Sequence, residues 1–224
     1  MMFDPWYWIM IAPALIFSLI ATVMVKSRFA KYSRIRCKSG YTGAQVSQAI
    51  LHAYGLTNVS VESVGGHLSD HYDPRSRTVR LSPEVYSSDS VAALGVAAHE
   101  TGHAIQHAQK FVPLVLRNAV VPLAGFGSHA AYIIFFIGLI MSFQPLIQFG
   151  IALFSVVVVF TIATLPVEIN ASTRAVALLT QAGVVTEEET SDVKKVLTAA
   201  ALTYVAAALM AIMQLVYMIL RSRR

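Results

Sequence analysis

Residues 99–103 read His99-Glu100-Thr101-Gly102-His103. On a helix, positions i and i+4 lie on one face, so the two imidazoles can reach a single metal ion. Glu100 is one residue round the helix, beside the ion rather than on it. A carboxylate there can take a proton from a metal-bound water. Asp89-Ser90 supply a helix start, and Val91, Leu94, Ala97 and Ala98 an apolar side. The spacing predicts a helix from there to about Lys110, with Pro113 as its stop.

The surroundings of this helix are membrane-like. The chain has 224 residues, 56% hydrophobic and 13% charged, too apolar for a soluble domain of this length. A spanning helix needs ~20 mostly apolar residues, and four stretches qualify: Trp6 to Val25, Ala119 to Phe143, Leu146 to Pro166 and Ala199 to Leu220. The first opens on Trp6, Tyr7 and Trp8, which suit a headgroup belt. Its long apolar core, followed by Lys26 and Arg28, reads as a retained anchor rather than a cleaved signal. The single cysteine, Cys37, leaves no internal disulfide and no cysteine-based zinc knuckle.

Net charge is +5, and its distribution carries an orientation. Lys26, Arg28, Lys31, Arg34, Arg36 and Lys38 follow the first span. Without aromatic interleaving or a nucleic-acid motif, they read as a juxtamembrane segment touching anionic lipid, not as a nucleic-acid site. If all four stretches cross, residues 26–118 and 167–198 share one side and hold 14 of the 17 basic residues. The positive-inside rule assigns that side to the cytoplasm. The basic tail Arg221 to Arg224 opposes this, so the last crossing is the weakest part of the topology. The expected organisation is an anchor (1–25), a cytoplasmic catalytic part (26–118), a transmembrane hairpin (119–166), a cytoplasmic helical part (167–198), and a membrane helix with a basic tail (199–224).

Within the first cytoplasmic part, Thr42 and Gly55 bracket a short amphipathic helix. Val59 to Val64 alternates weakly, as a strand does. His67 to Tyr72 and Arg77 to Leu81 flank Asp73-Pro74-Arg75-Ser76, a turn signal that predicts a β-hairpin. An exposed strand edge beside a zinc helix can bind an extended peptide through its main chain. Covering the helix is the plainer use of such a sheet. Thr186 and Glu189 form a capping-box pattern before the last helix.

Catalytic zinc takes three protein ligands and keeps one position for water. A third ligand must lie on the same membrane side as His99, and Glu168, directly after the third span, does. Ser172 shares its helical face. Asn170, Ser172 and Arg174 can hydrogen-bond a ligand histidine or Glu168 itself, and Arg174 can alternatively steady an oxyanion. His107 extends the line of His99 and His103, but three such residues span ~12 Å of helix, beyond one ion. His67 and His71 lie on the hairpin and read as surface or substrate-side groups. His129 lies within a span and reads as a hydrogen-bonded interhelical residue.

The runs His67 to Arg75, Val91 to His107 and Pro166 to Ser172 resemble the YugP-type membrane zinc metallopeptidases, over nearly the whole chain. More distantly the layout is similar to the HtpX-type gluzincin membrane peptidases. They too follow a His-Glu-x-x-His helix with a membrane hairpin and a glutamate ligand. Those commonly carry Asp where Ser172 stands, which leaves open whether Ser172 or Asn170 orients a ligand histidine. The resemblance implies a peptidase without naming its substrate.

The expectation is therefore a mainly α membrane protein with four transmembrane helices and a small α+β zincin-like catalytic domain carrying a short β-hairpin. One zinc ion would sit on His99, His103 and Glu168, with Glu100 as general base and then proton donor. Tyr72 or His71 would assist at the oxyanion. The partners would be protein or peptide substrates, membrane or unfolded proteins among them, together with the bilayer and an oligomeric or regulatory membrane protein. The alternative is a zinc-binding membrane scaffold or chaperone-like partner without turnover. A transporter would need polar residues along several spans, and the spans hold almost none.

Overall fold

Four helices in the computed structural model, which describes residues 5–223, are long and apolar enough to cross a membrane. They are α1 (Pro5–Tyr32), α5 (Val112–Ile140), α6 (Gln144–Gln181) and α7 (Glu187–Arg221). Residues 1–4 of the expected anchor and Arg224 of the basic tail lie outside the described residues. Between α1 and α5 come α2 (Gly43–Ala53), β1 (Ser60–Ser63), β2 (His71–Asp73), β3 (Thr78–Leu81), α3 (Pro83–Tyr86) and α4 (Val91–Ala108). The described chain divides into two units, one of residues 5–22, 112–166 and 202–223, the other of 23–111 and 167–201.

In the first unit the apolar cluster is Ala131, Phe135, Ile147, Leu153, Phe154, Val158, Ala211 and Met218. α5 and α6 approach backbone to backbone. A Cβ on Gly150 would come within 2.8 Å of the Phe135 amide nitrogen, the small-residue contact that lets helices associate in lipid. Tyr132 donates a hydrogen bond to Gln214 across this unit. Large apolar side chains such as Ile140, Phe149, Val159 and Ile162 face outward. A helix bonds all its own backbone groups, so such faces suit hydrocarbon. His129 bonds Ser128 on its own helix rather than a neighbouring one.

In the second unit a core of Tyr32, Val46, Leu51, Val79, Leu81, Val85, Leu94, Ile105, Leu179 and Val193 ties α2, the sheet and α4 to the near parts of α6 and α7. α2 has the expected Thr42 cap, completed by a capping box with Gln45. The sheet order is β1-β3-β2. β2 and β3 form the expected antiparallel hairpin, with His71 opposite Arg80 and Asp73 opposite Thr78. Its first arm is shorter than His67 to Tyr72, because Gly66 and Leu68 adopt positive φ and bend the chain there. β1 adds in parallel to β3, leaving β2 at an edge.

One helix is more continuous than the sequence suggests. α6 continues without a break through Pro166, so the predicted helix of 167–182 is the end of one 38-residue helix. Proline there costs a single ladder hydrogen bond and is tolerated in such long apolar helices. α7 starts at the Thr186–Glu189 capping box, where both reciprocal bonds form, and also runs unbroken.

Candidate metal centre

α4 begins with the Ser90 hydroxyl accepting from the Ala93 amide, and its buried side packs on the core. This leaves His99, Glu100, His103 and His107 on the half-buried side. α6 crosses close to it. A Cβ on Gly102 would stand 3.2 Å from the Ala171 carbonyl oxygen, so glycine at this position allows the approach that carries Glu168 to the histidines.

The ligand atoms of His99, His103 and Glu168 all lie within 4.8 Å of one another. Glu168 Oε2 is 3.3 Å from His99 Nε2 and 3.6 Å from His103 Nε2. A tetrahedral zinc ion with bonds of about 2.0–2.1 Å separates its ligands by about 3.3–3.5 Å. Glu168 is only 4% exposed, yet its Oε2 has no hydrogen-bond partner among the described residues. A buried carboxylate oxygen without a partner is costly, and a cation at this point removes the cost. Two imidazoles and a carboxylate suit zinc among the common divalent ions.

The far nitrogens of both rings are held. Ser172 Oγ lies 3.1 Å from His99 Nδ1. Gln106 Oε1 lies 3.0 Å from His103 Nδ1. Gln106, fully buried, donates its amide to the Val167 carbonyl at 2.8 Å and to Asn170 Oδ1 at 3.0 Å. Arg174 Nε donates to the same Asn170 oxygen at 2.8 Å. Asn170 and Arg174 thus reach the site through Gln106. The sequence reading missed Gln106; its only signal was a position three residues after His103, one turn along the helix.

The charges favour a cation. Burial opposes charging of His103, but the Glu168 and Glu100 carboxylates and the Gln106 amide outweigh it and raise its pKa. Glu100 is half-buried and makes no hydrogen bond among the described residues. Asp70, whose pKa is raised chiefly by burial and further by Glu100, accepts from the Ser82 amide and hydroxyl.

Of the hairpin residues, Tyr72 comes to α4: its hydroxyl is 2.8 Å from His107 Nδ1. Exposed His71 turns its Nδ1 to the Ser69 carbonyl at 2.7 Å. His67 pairs with Glu84. Neither of these two histidines joins the cluster of His99, His103 and Glu168.

Residues 7–223 match a family described as "Putative neutral zinc metallopeptidase". The chain is 48% identical over 202 residues to "Putative membrane protease YugP" of Bacillus subtilis (strain 168), covering 90% of each chain. No solved structure matches.

Proposed function

The chain belongs to this family, and from that premise we propose that it is a zinc-dependent endopeptidase of the membrane that works at the cytoplasmic face. The observation that carries this reading is the unpartnered, buried Glu168 Oε2 set between the Nε2 atoms of His99 and His103. The cytoplasmic assignment rests on the clustering of basic residues in 26–118 and 167–198.

Zinc held by these three residues would supply a water of lowered pKa and a positive charge for the scissile carbonyl. Glu100 takes the proton of the attacking water and delivers it to the leaving amine. Ser172 and Gln106 fix the two imidazoles from behind, which holds the ligand set in one geometry. Tyr72 stands one helical turn beyond His103, against His107. When His107 donates to it, the phenol keeps its own O–H for the charge that develops on the carbonyl oxygen. His71, exposed on the same strand, commits its Nδ1–H to the Ser69 carbonyl, so its Nε2 would meet substrate as an acceptor. β2 lies at the sheet edge and can receive an extended peptide as an added strand.

The test is Glu100→Gln in the purified full-length protein. It should retain zinc while cleavage of an unfolded or membrane-protein substrate disappears. Wild-type protein that binds zinc but shows no chelator-sensitive cleavage would favour the scaffold alternative.

A further inference from the structure

A groove of about 510 Å3 runs between residues 169–177 of α6 and 194–201 of α7. Ile169, Val176, Leu197 and Ala201 are among its apolar walls, Lys194 is the one charged residue lining it, and no carboxylate lines it. Lys194 is exposed and makes no ion pair or hydrogen bond among the described residues, whereas its neighbour Lys195 is held by Asp192 at 2.8 Å. Both walls belong to helices whose sequence continues into apolar runs, 146–166 in α6 and 202–220 in α7. Ile169 is three residues past Pro166, about 4.5 Å along the axis. A bilayer that receives those runs therefore meets the Ile169 and Ala201 end of the groove, with Lys194 about 10 Å farther out along α7.

We infer that this groove binds an anionic phospholipid of the surrounding bilayer, with an acyl chain along the apolar walls and the phosphate at Lys194. A free anion would find one lysine on an apolar surface. A purely apolar helix would cover Lys194 without neutralising it, which is costly. An anionic amphiphile satisfies both parts at once. Ser172 belongs to the groove wall and touches His99 Nδ1, so the bound chain would lie one side chain from a metal ligand. The inference does not rest on the hydrolytic reading.

Full-length protein equilibrated with equal amounts of phosphatidylglycerol and phosphatidylcholine, then analysed by native mass spectrometry, tests it. Phosphatidylglycerol should be retained in preference. Lys194→Gln should lower that preference about fivefold, the ~1 kcal/mol of one basic group at an anionic surface, with thermal unfolding unchanged. Ala177→Phe, which fills the groove, should lower retention of both lipids. An unchanged preference in Lys194→Gln would assign the selectivity to the basic segment 26–38 and overturn the inference. So would an Ala177→Phe protein that keeps its lipids, whether it still cleaves peptides or, with the groove then assigned to substrate, does not.

Discussion

Gln106 and His103 form a donor–acceptor pair whose direction is fixed by chemistry. The Gln106 amide nitrogen is committed to the Val167 carbonyl and to Asn170 Oδ1, so its oxygen faces His103 Nδ1. An oxygen there only accepts. His103 must therefore carry its proton on Nδ1, which leaves the Nε2 lone pair for a metal ion.

Gln106→Leu removes that acceptor and strands the His103 Nδ1–H in a partly buried place. Zinc affinity should fall by about 10–100-fold, the usual cost of losing such an orienting partner. Stability should fall by about 1–3 kcal/mol. A zinc competition titration and a denaturant melt measure the two effects separately.

Ser172→Ala should weaken zinc by at least about tenfold with little change in melting, since Ser172 is only half-buried. Ser172→Asp should restore or exceed wild-type affinity, because a carboxylate accepts more strongly from the His99 Nδ1–H. Equal affinities in all three proteins would remove Ser172 from the site.

Gly102→Ala places a methyl group 3.2 Å from the Ala171 carbonyl oxygen, and Gly102→Val adds two more carbons. The two helices must separate by a few tenths of an ångström or more. Overpacking of this kind costs about 1–3 kcal/mol. Zinc affinity should decline in the order Gly, Ala, Val. Zinc binding that is indifferent to the series would show that the approach of α4 and α6 does not set the ligand geometry.

The hairpin turn should respond to acid. Asp73 accepts from Ser76 Oγ, the Arg75 amide and Arg80, and these hold its pKa well below the ordinary aspartate value. A carboxylate with a depressed folded pKa stabilises above its unfolded value of about 3.9, and that contribution is lost as pH falls towards the folded one. Amide exchange in β2 and β3 should accelerate below about pH 4, and Asp73→Asn should remove most of that dependence.

Much of the site was legible because helical periodicity is a local property. His99 with His103, and Glu168 with Ser172, each declare a shared face by their spacing. The caps at Thr42 and Thr186 were equally plain, since a capping box lies within four residues. Gln106 was not, because a polar residue on an amphipathic helix reads as solvent-facing until tertiary packing buries it. Nor was the parallel pairing of β1 with β3, since alternation marks a strand without marking its partner. The continuity of α6 through Pro166 escaped for a related reason: proline signals a break locally, while the apolar surroundings make the helix the cheaper state.

Metal analysis of the purified full-length protein beside its Glu168→Gln variant is the most direct test of the centre. One zinc ion per wild-type chain is predicted, bound through two imidazoles and one carboxylate oxygen at about 2.0–2.2 Å by X-ray absorption. The variant, with the protein still folded, should lose most of it. Zinc bound equally well by Glu168→Gln, or a ligand set lacking imidazole, would contradict the account.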